Sequence, residues 1–427
     1  MEILVMSVPV LNICEWQPSL KTNDTRTIQT VRFQETKRLV SCLDRMVLPS
    51  PPLLPDDMPT IKKFRLDYRG PDRLFNSRIY GWISSLVLRK FEELSLCLQR
   101  DFLLPPCLFT CETLTVLEIE MAGNLSSKSK KTGNLGFPPT VSFSRLKILR
   151  LTHIVFVDAD LTTQLFSNCP VLEELMLNKC CMVEMKVSCV SVASLKRLFI
   201  TSPARNSWNL KINLFLPNLQ SLTYTGMPED FVLTGHGFSS LVDADIDMPF
   251  ESMNIYTKRG KERLRGLKNL AEGILNVKLL KISGDPIVYL YFEDVLAECT
   301  FQNLRQLEVS SKLSCGTTKG LFYLLFKVPN LESIIFSQGF TEFLLNATPY
   351  NEVPKCLLLQ LKAVEFREID GHGVELDVIT FFLKNSLVLQ TMTITFSSSL
   401  PQCWRDIVIR TLLMSPKGAA NGVINFL

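Results

Sequence analysis

The stretch CPVLEELMLNKC, residues 169–180, places leucines at 172, 175 and 177 and sets Glu173 and Glu174 between the first two. Reduced to apolar-x-x-apolar-x-apolar, the same six-residue spacing recurs along the chain. It reads IKKFRL at 61–66, FEELSL at 91–96, LTVLEI at 114–119, LKILRL at 146–151, LEELML at 172–177, LKRLFI at 195–200 and LQSLTY at 219–224. It continues as LVDADI at 241–246, VKLLKI at 277–282, LRQLEV at 304–309, LESIIF at 331–336, LKAVEF at 361–366 and LQTMTI at 389–394.

Those copies return at a mean spacing of about 27 residues, and a period in the twenties marks a leucine-rich repeat solenoid. The second half of each copy alternates apolar and polar, the period of a half-buried strand. Its first, fourth and sixth residues point inward, and its third, fifth and seventh point to solvent. Glu174 is thereby expected on the outer face, while Leu172, Leu175 and Leu177 form one layer of a core. A single copy cannot bury its leucines, but stacked neighbours bury them jointly. Parallel strands need a long crossover, and roughly 20 residues between copies supply it. The expected fold is α/β, an irregular leucine-rich repeat solenoid of parallel strands with helical crossovers.

Composition limits the function. Of the 427 residues, 46% are hydrophobic, enough for a large core. With 46 basic and 42 acidic residues the net charge is +4, too mild to argue for nucleic acid or an anionic membrane. No run of 18 apolar residues occurs, so no span of a bilayer is expected. The opening MEILVMSVPVLNICEW lacks a basic start and carries Glu2 and Pro9, which argues against a signal peptide. The 13 cysteines are scattered and odd in number. That suits reduced thiols in an intracellular protein of the cytoplasm or nucleus.

Residues 1–60 form a lead-in with no convincing copy, and LPSPPLLPDDMP at 48–59 reads as a proline-rich loop. RIYGWISSLVLRKF at 78–91 has helical spacing that turns Trp82 inward. SSKSKKTGN at 126–134 reads as a loop inserted in one repeat. Helices are predicted at 158–169, with Asp160 as N-cap and Pro170 as the stop, and at 257–274 and 374–386.

The outward strand positions are mostly polar, and solenoids commonly bind partners on such a face. Exposed apolar residues anchor interfaces. By this register they are Val116, Ile148, Met176, Phe199, Leu279 and Ile335. Asp243, Asp245 and Asp247 share one strand face, open to a basic partner or simply solvated. A calcium loop would need glycine at its sixth position and glutamate at its twelfth, where this stretch has Met248 and Asn254. KRGKERLRGLK at 258–268 reads as the wet side of a helix, a nuclear import signal or a nucleic-acid patch. It has no interleaved aromatics for base stacking. Cys107 and Cys111, the cluster Cys180, Cys181 and Cys189, and the three histidines form no zinc pattern. A Cys356–His372 nucleophile pair has no supporting motif. Gly371-His372-Gly373 is a turn rather than a phosphate cradle. No enzyme activity, cofactor or metal is expected.

Three stretches resemble a plant family, the F-box/FBD/LRR-repeat proteins. LPPCLFTCETLTVLEI at 104–119 is similar to an early repeat of that family, and FVDADLTTQLFSNCPVLEELML at 156–177 to its central one. VPKCLLLQLKAVEFREIDGHGVELDVITFFLKNSLVLQTMTITF at 353–396 resembles the FBD module, as does the tail LLMSPKGAANGVINF at 412–426. The resemblance implies repeats over 61–340 and an FBD module over 341–427. Because the copies at 361 and 389 fall inside that module, it is expected to continue the sheet and to serve as the polar cap that a solenoid end needs. It implies the substrate-binding part of an SCF-type ubiquitin-ligase receptor, with a protein partner of unknown identity. The family's N-terminal F-box is not visible, and LVMSVPVLNI at 4–13 resembles the segment on the C-terminal side of one. Adaptor and cullin subunits are therefore expected only where an F-box is supplied. A truncated member without a partner and a ligase-independent nuclear scaffold stay open beside this reading. Regular repeats carry Asn or Cys at the ninth position to bond the turn backbone, and here only Cys180 fits.

Overall fold

In the computed structural model of the chain, each of the thirteen copies opens a strand at its third residue. The structure describes residues 10–14, 37–38, 40–48, 61–68, 73–99, 102–122, 138–182, 188–202, 212–227, 231–233, 238–248, 257–283, 287, 299–312, 315–340 and 352–427. The proline-rich stretch from 49 onward and the insertion at 126–134 lie outside the described residues. The chain divides into two compact units, Met1–Leu210 and Lys211–Leu427.

The first unit carries β1 (Val10–Cys14), β2 (Lys63–Tyr68), β3 (Glu93–Gln99), β4 (Val116–Ala122), β5 (Ile148–Thr152), β6 (Glu174–Asn178) and β7 (Arg197–Thr201). Each pairs in parallel with the next, and equivalent copy positions face one another: Val116 opposes Ile148, and Ile148 opposes Glu174. The second unit carries β8 (Ser221–Thr225), β9 (Asp243–Asp247), β10 (Leu279–Ile282), β11 (Gln306–Val309), β12 (Ser333–Phe336), β13 (Ala363–Ile369), β14 (Thr391–Phe396) and β15 (Val423–Phe426). These too run parallel in sequence order.

The burial follows the spacing. Leu172, Leu175 and Leu177 are buried, as are Leu304, Leu307 and Val309 at the same positions of a later copy. Each such side chain contributes about 1.5–3 kcal/mol through burial. The backbone adds a second regularity. The carbonyl of a copy's second residue accepts two N–H groups from the next copy, those of its second and third residues. Lys147 O accepts from Glu173 and Glu174, Glu173 O from Lys196 and Arg197, and Arg305 O from Glu332 and Ser333. Strand entry is thus set by main-chain groups, whatever the side chain at that position.

Two strands of these sheets come from stretches without a recognised copy. β1 pairs with β2, and β15 pairs with β14. The lead-in also holds a helical stretch at 40–47. It docks on helix α1 (Arg73–Leu88), whose Trp82 is fully buried as expected. Trp82 Nε1 donates to Asp44 Oδ1 at 2.8 Å, Arg78 Nη1 pairs with Asp44 Oδ2 at 2.7 Å, and Arg89 Nη2 donates to Val47 O at 2.7 Å.

Helix α2 (Ala159–Ser167) is capped by Asp158 rather than Asp160. Asp158 Oδ1 accepts from the N–H groups of Asp160 and Leu161 at 2.9 Å each. Asp160 lies in the first turn, where its charge favours the helix dipole. Helix α3 (Lys258–Gly273) starts at a Thr257 cap, and α4 spans Cys315–Phe326.

The stretch that resembles the FBD module continues the parallel sheet of the second unit, because β13 pairs with β12 in the same register. Around that seam are α5 (Lys355–Leu359), α6 (Gly373–Asn385) and α7 (Gln402–Met414). Phe336 stacks on Phe366 at 5.0 Å and meets Phe382 edge-on at 5.6 Å. Gly371 turns the chain into α6 with φ +78°, and a Cβ there would lie 2.9 Å from Val408 Cγ2. Both the φ and the space favour glycine. The last helix, α7, presents both polar and apolar side chains to solvent. α7 buries Val408 and Leu412 but exposes Trp404, Ile407 and Met414. Its outer surface is mixed, since Gln402, Asp406, Arg410 and Thr411 are exposed beside those apolar side chains.

Candidate functional site

On the first unit, the outward strand positions line up as two rows. The third-residue row runs Lys63, Glu93, Val116, Ile148, Glu174, Arg197. The fifth-residue row runs Arg65, Ser95, Glu118, Arg150, Met176, Phe199. The register makes neighbours of Val116 and Ile148 in one row and of Met176 and Phe199 in the other. Adjacent strands lie about 4.8 Å apart, so each pair forms one apolar contact surface. All four side chains are half-buried.

Between the two apolar pairs lies a charged cluster that the sequence reading did not single out. Arg150 Nε and Nη2 donate to Glu174 Oε1 at 3.0 and 2.7 Å, and its Nη1 bonds Glu118 Oε1. Arg197 Nε donates to Glu174 Oε2 at 3.0 Å. Glu174 is on the outward side, as expected, yet it is only 7% exposed. The two guanidinium groups cover it. The planar fork of arginine suits this use, since it holds two carboxylates in fixed directions. Burial alone would raise the Glu174 carboxyl, but hydrogen bonds from Arg150 and Arg197, with their charges, hold it below its ordinary value. Burial pulls Arg150 down, while Glu174 and Glu118 more than offset it and raise it. The signal was present in the sequence as opposite charges at matching positions of neighbouring copies. It needs the copies aligned to be read.

A depression of about 190 Å³ on this face is lined by Arg65, Asp67, Glu118, Arg150 and Met176, among others. In the third-residue row, Lys63 Nζ pairs with Glu93 Oε1 at 2.8 Å.

On the second unit, Asp243, Asp245 and Asp247 do share one face of β9. Asp243 Oδ2 accepts from Ser221 Oγ at 2.5 Å, and Asp245 pairs with Lys281 Nζ at 3.2 Å. Neighbouring repeats thus engage two of the three carboxylates. Among the described residues no group of three or more His, Cys, Asp or Glu could hold a metal ion. Leu279 is exposed and Ile335 is half-buried. They lie two strands apart, in different rows.

The Cys356–His372 pair does not assemble. Cys356 is fully buried, its thiol donates to Leu325 O at 3.5 Å, and burial pushes it up to about 12. His372 is exposed at the start of α6. Cys180 plays the turn-bonding part expected of it, donating to Leu151 O at 3.3 Å from a fully buried site. No helix among the described residues is long and apolar enough to cross a membrane.

Two family models match the chain. One, described as FBD, covers residues 349–394. The other, described as the LRR repeats of the FBD-associated F-box protein At5g56370, covers residues 79–229. The F-box/FBD/LRR-repeat protein At1g78750 of Arabidopsis thaliana is 27% identical over 374 residues, which is 84% of this chain and 77% of the relative. The FBD-associated F-box protein At4g10400 of the same plant is 27% identical over 419 residues, 96% of this chain and 90% of the relative. These matches bear out the resemblance to the plant F-box/FBD/LRR-repeat family. The chain carries an FBD module and FBD-associated leucine-rich repeats, and proteins so built are generally recognition modules.

Proposed function

From a chain that shares its repeats and its FBD module with the plant F-box/FBD/LRR-repeat proteins, we infer a non-enzymatic protein-recognition module. Its role is that of the substrate-binding arm of an SCF-type ubiquitin-ligase receptor, acting inside the cell on a protein substrate. Adaptor and cullin subunits join only through an F-box. The observation that carries this reading is the face of the first unit. Two register-adjacent apolar pairs, Val116 with Ile148 and Met176 with Phe199, flank the Arg150–Glu174–Arg197 cluster. Half-buried apolar side chains anchor a partner, and a surrounding set of fixed charges orders it. Because the arginines are already held by carboxylates, less side-chain freedom is lost when a partner docks.

The test is affinity purification of the tagged chain from plant cells, with mass spectrometry, beside the variant M176E/F199E. A specific protein enriched by the wild type and lost by the variant supports the reading. Its affinity, measured with purified partner, falls by about thirtyfold or more, as for the loss of an interface anchor. An unchanged set of co-purifying proteins overturns it.

A further inference from the structure

The basic run at 258–268 is absorbed by neither face. It forms the first three turns of α3, and only part of it is at the surface. Arg263, Leu264 and Leu267 are buried, whereas Lys258, Lys261, Arg265 and Lys268 are exposed. Those four fall at i, i+3, i+7 and i+10, which is one stripe of a helix about 15 Å long. Among the described residues none of the four has an acidic partner, and the stripe ends at the exposed Glu272. The arrangement runs against the helix dipole. The first turn holds Lys258 and Lys261 and no acidic residue, and the last turn holds no basic one. Positive charge at a helix start is unfavourable until an anionic group comes near it.

We propose that this stripe docks an acidic helix of a partner protein. The charge spacing carries the choice of partner. A facing helix presents carboxylates at i, i+3, i+7 and i+10 with the same 5.4 Å pitch, so every cation meets one anion. A membrane surface fits poorly, because the apolar face of α3 is buried under Leu264, Leu267 and Leu270 and has nothing to insert. Nucleic acid fits poorly as well, because the stripe has no aromatic side chain for a base to stack on. A signal read as an extended basic peptide would have to unfold α3. The stripe belongs to the second unit and shares no residue with the strand face of the first, so the two readings stand or fall independently.

The test uses the full chain and a fluorescein-labelled helical peptide with glutamates at those four spacings, followed by fluorescence anisotropy. Binding is expected, weakening as ionic strength rises from about 50 to about 300 mM. K258E/K261E/R265E/K268E should lower the affinity at least about tenfold and should bind the matching lysine peptide instead. Circular dichroism verifies that the variant is folded; if it is not, the four-glutamine variant replaces it, with a loss of about threefold or more expected. Equal binding of the glutamate peptide by wild type and variant overturns the proposal. So does tighter binding of labelled oligouridine, or of phosphatidylserine vesicles, that the same substitutions abolish.

Discussion

The two units place their strands in the same parallel register, yet their outer faces differ in kind. On the first, four apolar residues meet in adjacent pairs around a carboxylate that two arginines cover. On the second, the polar contacts are short and local: Asp243 with Ser221, Asp245 with Lys281, Glu308 with Ser337, Glu365 with Arg367. Its apolar outward residues Leu279 and Ile335 do not touch across one strand pair. Both faces hold charges and both hold apolar side chains. What distinguishes them is adjacency, which decides whether two side chains make one anchor or two isolated exposures.

The strongest way to break the comparison acts on the second unit alone. Deleting 341–427 removes β13 from β12 and takes away two aromatic partners of Phe336, Phe366 and Phe382. The remaining chain is expected to be insoluble or rapidly proteolysed. A soluble 1–340 with a cooperative melt would show that the seam contributes little.

A smaller effect sharpens the contrast between the two faces. Glu174→Gln should cost about 1–2 kcal/mol in urea denaturation, less than a fully buried pair because both arginines are part-exposed. Glu308→Gln on the second unit should stay within about 0.5 kcal/mol, since a glutamine oxygen still accepts from Ser337. The Glu174 effect also depends on pH. Its folded-state value is depressed, so its stabilisation is complete above the ordinary carboxylate range and disappears as pH falls through the lower folded value. The gap between wild type and Glu174→Gln should hold steady near neutrality and close in acid. A gap that widens in acid would mean the carboxylate is not held by the arginines.

The mildest probe compares how closed the two cores are. Burial pushes Cys169 and Cys180 of the first unit, and Cys356 of the second, up to about 12. The thiolate is the reactive form, so iodoacetamide at neutral pH should leave all three unmodified while labelling the exposed Cys107 and Cys403. Mass spectrometry reads the outcome peptide by peptide. Labelling of Cys356 ahead of Cys180 would mark the second unit as the looser.

Much of the fold is legible in the spacing of leucines, because a period of two inside each copy decides which residues are inside. The strands that escape it are the informative ones. VPVLNI at 8–13 carries the spacing, but its second residue is Pro9, which lacks the N–H that later copies donate. For the last strand the six-residue pattern would start at Asn421, where an apolar residue is required, so only Ile424 and Phe426 match. The helix at 40–47 is held by Trp82, Arg78 and Arg89 from a later element, a dependence that local sequence does not display. The candidate face divides in the same way. Which residues point outward is decided by alternation. That Glu174 is covered depends on Arg150 and Arg197 arriving on neighbouring strands, 24 residues before it and 23 after.

The carbonyl that accepts two amides at each strand entry has an evolutionary consequence. Since that rung is drawn entirely from main-chain atoms, any residue except proline at the two donating positions satisfies it. Outward side chains that, unlike Glu174, are not tied to a neighbouring strand are then nearly free characters in a fixed text. One of these can be rewritten without disturbing the line above or below, so a gene family built on this frame can diversify much of its binding surface codon by codon while each intermediate still folds.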